Sequence, residues 1–488
     1  MKHGNINTYV LVSISFVITA LAFAGNPTGA RNQAGLGRTA TNDVAHPMLI
    51  NNVFNYYQNN GSGSYNKFSA SNEGFEVPKG KDLATAIFQD GLVWGCKKGG
   101  VLHVGGSTYR SGLQAGPIVT TGTNSTLPVA DDPGKIENRL YRVRRDIPPL
   151  PGVTSPADPR AAAEKALLAG SEIPFIGRYE GTTAEDLLQQ YWNDWLTWPA
   201  AQGAPYTDVD HNGTYDPTID IPGVPVADQT MWYTANDLDP ARVAFLAGST
   251  PIGLEIQKTI WAYNLPGALG NTIFVSTRLI NRSGVQLDSM YIAQWSDPDL
   301  GYGFDDFVGC DTLLNLGFAY NGVASDPNFA SYGLVPPALG VDLVQGPIAH
   351  GVPADTAIFG LTYRPGFRNL PMSAFALFTQ GSVPYTDPLL GPGGDVQWYN
   401  LLQGRIASSG GPFINPLTLT ATKFALSGDP VGGTGWIDGN GLPPQDRRMV
   451  MAAGPIVMAP GDTQEVVVAC FSSRGLDRLS SVTALKAD

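Results

Sequence analysis

The sequence has 488 residues, 43% hydrophobic and only 15% charged, with 58 glycines and 38 prolines. That balance can build real cores, and it favours many short strands joined by turns over long surface helices. A net charge of -12 argues against nucleic acid, whose phosphates need Lys and Arg.

The chain opens with Lys2 and His3, followed by an apolar run from Tyr9 to Phe23 broken only by Ser13, Ser15 and Thr19. Ala22-Phe23-Ala24 then gives the small-x-small pattern before a cut at Gly25, so residues 1–24 read as a signal peptide. The run falls short of the roughly 20 apolar residues of a membrane span. An uncleaved anchor is the alternative. The mature chain is expected to be secreted or at the outer cell surface, with no transmembrane segment after cleavage.

Residues 25–150 read as an N-terminal β-rich domain. Its first part is a polar entry holding Tyr56, Tyr57, Tyr65 and Phe68. Short strand-like runs follow at Ala84–Phe88, Gly91–Gly95 and Gly100–Val104, separated by Asp-Gly and Gly-Gly turns. His103 alternates with Leu102 and Val104 and, with no second histidine at metal spacing, reads as a hydrogen-bonded structural residue. Arg142, Arg144 and Arg145 read as a solvated basic face.

Residues 151–240 read as a helical segment plus a linker. Asp158 caps a helix with Pro159 at its first position. Thr182 with Glu185 has capping-box spacing and opens a second helix from Ala184 to Trp198. Leu188, Trp192 and Trp195 share one face of it; at that spacing an aromatic stripe is core packing before it is a sugar platform.

The linker holds the sharpest chemical signal, Asp208-Val-Asp210-His-Asn212-Gly213-Thr214-Tyr-Asp216-Pro-Thr-Ile-Asp220. Oxygen-bearing side chains at positions 1, 3 and 5, then a glycine, are what a hard cation needs from a short loop; Ca2+ takes six to eight oxygens. Asp208, Asp210, Asn212, the Thr214 carbonyl, Asp216 and Asp220 form the expected ligand set. Position 12 is Ile219, one place before Asp220, and Pro205, Pro217 and Pro222 forbid continuous flanking helices, so the loop is not an EF-hand. It resembles the Asp-rich calcium loops of dockerin and thrombospondin-type repeats. The competing reading is an Asx-rich turn with no ion.

Residues 241–488 read as a C-terminal β-sandwich domain. Gly253–Tyr263 and Thr272–Ile280 alternate, and Leu287–Trp295 follows an Asn-Arg-Ser-Gly turn. Met449–Met458 and Gln464–Phe471 flank Pro460-Gly461 and read as a hairpin, and Asp477 reads as the cap of a last helix. The expected fold class is mainly β, with antiparallel β-sandwich modules, a small helical insert and long ordered loops. A second acidic cluster, Asp297, Asp299, Asp305, Asp306 and Asp311, is a weaker cation candidate, and also offers the carboxylate pair of a glycosidase. Glu255 reads as solvated.

Cys96, Cys310 and Cys470 lie too far apart for a zinc cluster or a full disulfide framework, and read as buried small residues with one bridge left open. The five histidines include no His-Glu-x-x-His pair, and no Gly-x-Ser-x-Gly elbow or phosphate-binding loop occurs. These absences weigh against catalysis, with a dispersed triad, which is recognised by geometry, left open.

Gly91-Leu-Val-Trp-Gly, Tyr206-Thr-Asp-Val-Asp-His-Asn-Gly-Thr-Tyr-Asp-Pro217, Gly253-Leu-Glu-Ile-Gln, Trp295-Ser-Asp-Pro-Asp-Leu-Gly301 and Ala459-Pro-Gly-Asp-Thr-Gln464 together resemble the large surface proteins exported by the type IX secretion route. The resemblance implies β-sandwich modules and a C-terminal sorting domain, before which the chain stops at Asp488; this reads as a fragment of a longer parent or a different route. Two functions are expected from these features. The first is an exported, calcium-stabilised surface protein with a structural or adhesive role, meeting surface polysaccharide or other cell-surface proteins. The second is a polysaccharide-binding or polysaccharide-degrading protein using the 297–311 carboxylates and exposed Trp295, Trp398 and Trp436.

Overall fold

Period-2 alternation sets the main sheets. In the strand Leu254–Ala262, Leu254, Ile256 and Ile260 point into the core, while Gln257, Thr259 and Trp261 are half-buried on the opposite face. The neighbouring strand Thr272–Asn281 repeats the pattern in register, pairing Gln257 with Arg278, Thr259 with Ser276 and Trp261 with Phe274. The computed structural model describes residues 43–68 and 74–488. The expected signal peptide lies outside the described residues.

Two antiparallel sheets dominate. The nine-stranded sheet runs in the order 141–144, 229–236, 254–262, 272–281, 463–473, 338–345, 316–321 and 306–311, with 114–115 paired to 229–236. The eight-stranded sheet runs 45–48, 55–58, 62–63, 89–98, 287–297, 447–458 and 374–379, with 101–106 paired to 89–98. Their inner faces share one core: Trp94, Ile292 and Met451 from the eight-stranded sheet meet Met231, Ile260 and Val275 from the nine-stranded one. The protein is thus a mainly-β sandwich with a small helical insert.

The described residues form one compact unit. This corrects the boundaries expected at 150 and 240. Strand 89–98, from the expected N-terminal domain, pairs with 287–297, and strand 229–236, from the expected linker, pairs with 254–262. Composition shifts mark loops here, and the sheets run through them.

The expected 449–458 and 464–471 hairpin is also corrected. The strands Arg447–Met458 and Thr463–Ser473 lie in different sheets, so the Pro460-Gly461 turn is an arch between layers. Both strands find partners on two sides in their own sheets, and that pairing outweighs pairing with each other.

The helices Ala162–Ser171, Ile173–Glu180 and Ala184–Leu196 form the insert. The second capping box is one residue later than expected, with Thr183 as cap and Asp186 answering it. Leu187, Leu188, Tyr191 and Trp192 bury against Leu49, Phe54 and Tyr56, so the aromatic stripe is core packing. Arg142 and Arg144 are not a solvated face. They are 1% and 3% exposed because the insert covers them, and Arg144 pairs with Glu172 at 2.6 Å. Glu255 is likewise buried, accepting from the Ile118 amide at 2.8 Å. The three cysteines are buried and unbridged. His103 bonds the Thr250 carbonyl through Nδ1 at 3.1 Å. No helix among the described residues is long and apolar enough to cross a membrane.

Candidate metal centres

The 208–220 loop is closed at its base by a short antiparallel clasp, Tyr206–Thr207 against Ile221–Pro222. It is bolted to the helix Ala184–Leu196 by two hydrogen bonds. Trp195 Nε1 donates to the Pro217 carbonyl at 3.1 Å, and the Tyr215 hydroxyl donates to the Trp195 carbonyl at 2.8 Å. Trp195, Trp198, Trp232 and Tyr141 form the apolar bed beneath.

Within the loop, His211 (φ 58°) and Gly213 (φ 77°) take left-handed backbone and fold the chain back on itself. Asp208 accepts from the amides of Asn212 at 3.1 Å and Gly213 at 2.8 Å. Asp220 is 2% exposed and accepts from the amides of Val209 at 2.9 Å and Asp216 at 2.8 Å. The turn from Asp216 to Asp220 swings Asp220 inward, which offsets its late position in the sequence. One oxygen from each of Asp208, Asp210 and Asp220 lies within 4.8 Å of the others.

Asn212 sits beside this group. Its amide nitrogen donates to Asp210 Oδ2 at 2.8 Å, and its oxygen accepts from Thr214 N at 2.7 Å. Asp216, expected among the ligands, is not part of the group; its Oδ1 accepts from the Thr218 amide and hydroxyl at 2.8 and 2.7 Å.

The second cluster is rearranged relative to expectation. Asp297 ends the strand Leu287–Asp297, Asp299 follows in the loop, and Asp446 enters from the start of the adjacent strand; their oxygens lie within 4.8 Å of one another. Asp446 had no signal in the sequence, since it joins only through the pairing of strands about 150 residues apart. Arg448 bridges the group, 3.1 Å from Asp297 and 2.8 Å from Asp446. Asp311 leaves it. Five residues of extended strand put it about 17 Å from Asp306, where it pairs with Lys486 at 3.0 Å. Asp305 and Asp306 stay nearby, joined by Asp326, which caps the helix Pro327–Ser331.

One arginine cannot neutralise this many buried carboxylates. Burial, with Asp446 adding to it, pushes Asp297 up to about 7. Burial and Asp326 push Asp305 up to about 7, and burial raises Asp306 well above the usual carboxylate range. Among the described residues, Asp306 Oδ1 and Asp446 Oδ1 are buried without a hydrogen-bond partner.

A pH dependence follows. An unfolded Asp has a pKa near 3.9, so between about 4 and about 7 the folded state holds more protons at Asp297 and Asp305. Their share of stability is therefore largest at low pH and falls as pH rises through that window. In chelator, the contrast between wild type and Asp305→Asn should isolate the effect. The wild type is expected to gain more melting temperature than the variant on going from pH 7.5 to 5.5, and equal gains would disprove the assignment.

The proposed tryptophan platforms are corrected. Trp295, Trp398 and Trp436 are 0%, 2% and 9% exposed, and the first two pack edge to face. The class defined by fold and site is a two-sheet antiparallel β protein carrying acidic loop clusters. No protein-family model and no curated protein matches the chain.

Proposed function

We propose that this chain is an exported β-sandwich surface protein whose loops are ordered by calcium, with a structural or adhesive role. The observation that carries this reading is the convergence of Asp208, Asp210 and Asp220 in a loop clasped at its base. Three carboxylates, the Asn212 amide oxygen and the Thr214 carbonyl are hard oxygen donors, and water would complete the shell of a calcium ion. The ion would relieve the repulsion of three neighbouring carboxylates and hold the loop against the helical insert. The Asp297, Asp299 and Asp446 group supports a second, more deeply buried ion. The apolar run over residues 9–23 supports export.

Melting the full chain in millimolar calcium and in chelator tests the reading. A ligand that binds only the folded state stabilises by about 2.7 kcal/mol at a hundredfold excess over Kd. Calcium is expected to raise the melting temperature, and Asp208→Ala combined with Asp210→Ala to remove most of the rise. A wild-type protein that melts identically in calcium and in chelator would sink the proposal.

A further inference from the structure

The sandwich also carries a recess that the calcium reading leaves unused. It lies on the outer face of the nine-stranded sheet, has a volume of about 330 Å³, and joins a wider cleft of about 1020 Å³ through shared Gln257, Arg278 and Gly360. The smaller recess is within the size range of small-ligand sites. Its floor is made by neighbouring outward positions on three paired strands: Thr259 and Trp261, then Ser276 and Arg278, then Glu465 and Val467. The 203–206 turn forms one wall, and the hairpin tip at Gly360–Leu361 forms the other.

The floor is held rigidly. Glu465 accepts from Ser276 Oγ at 3.1 Å, Arg278 Nε at 3.0 Å, Gln345 Nε2 at 2.9 Å and the Gly360 amide at 2.6 Å. The Trp261 ring is fixed by stacking on Phe274, with centroids 5.4 Å apart and planes 15° apart. The result is one half-buried indole among hydroxyl, amide and guanidinium groups.

This lining selects a ligand class. A peptide strand would need free backbone groups, but the floor strands are already paired on both sides. A lipid tail would desolvate the polar floor without satisfying it. Arg278 and Glu465 compensate each other at 3.0 Å, so the floor offers no net charge to an anion. An uncharged sugar ring fits all three conditions, with an apolar C–H face for the indole and hydroxyls for the polar rim.

We propose that this groove binds a neutral glycan, with one pyranose ring on Trp261 and the chain continuing past Arg278 into the wider cleft. The assignment is independent of calcium, because the floor belongs to the strands and to no acidic loop.

Isothermal titration of the full chain, with calcium present, tests it against cellohexaose, laminarihexaose, mannohexaose and polygalacturonate. At least one neutral hexasaccharide is expected to bind, and Trp261→Ala to weaken it by about tenfold or more, the size of one lost aromatic contact. The melting temperature should be retained. Thr259→Gln, which fills the recess from its floor, should weaken the same ligand, and it decides the matter if Trp261→Ala does not fold. Three results would overturn the proposal: no neutral hexasaccharide binding, unchanged affinity in both variants, or binding of polygalacturonate alone.

Discussion

Asp438→Ala is expected to cost about 3–5 kcal/mol of folding stability, the range for breaking one side of a buried ion pair. Arg447 and Asp438 are 0% and 2% exposed at their side chains. They meet as a fork, Nε to Oδ2 at 2.8 Å and Nη2 to Oδ1 at 3.0 Å. Arg447 also donates to Thr379 Oγ1 at 3.3 Å and to the Pro443 carbonyl at 2.7 Å, and Asp438 accepts from the Val308 amide at 3.1 Å. The pair therefore ties two strands of the eight-stranded sheet to the edge strand 306–311 of the other. Alanine at 438 would leave a guanidinium charge in the interior with too few acceptors. Adding Arg447→Met should restore much of the loss, because no unpaired charge then remains. Urea denaturation of the two variants checks this, and a loss below about 1 kcal/mol for the single variant would show a solvated pair.

Trp295→Ala is expected to cost about 3–5 kcal/mol as a core truncation. The indole is fully buried, 4.8 Å from the Tyr109 ring and 6.5 Å from Trp398, both edge to face. Trp398 in turn meets Phe378 at 5.8 Å, so the ring column joins the strand Leu287–Asp297 to the helix Gly394–Leu402. A tryptophan serving as an exposed sugar platform would be lost at little cost in stability. Thermal melting separates the two roles. A variant that melts with the wild type would remove Trp295 from the core and restore it as a ligand surface.

The local devices were legible in the sequence. Asp158 and Asp477 cap helices as their positions require, and Leu254–Ala262 alternates along the strand in the expected phase. The Asp-x-Asp-x-Asn-Gly spacing singled out Asp208 and Asp210; Asp220, beyond that spacing, joins them, and Asp216, expected with them, does not. These features depend on backbone period, cap chemistry and turn geometry within a dozen residues.

Partners and depth were decided by the tertiary structure. The strands on either side of Pro460-Gly461 look like a hairpin locally, yet each is drawn into a different sheet. Arg142 and Arg144 look solvated until the helical insert covers them and Glu172 supplies the counter-charge. Asp446 meets Asp297 only because the strands beside them pair, and Trp261, unremarked in the sequence, faces a recess because its strand lies in mid-sheet. Alternation says that a strand has two faces. Which face is covered, and by what, depends on contacts between segments hundreds of residues apart.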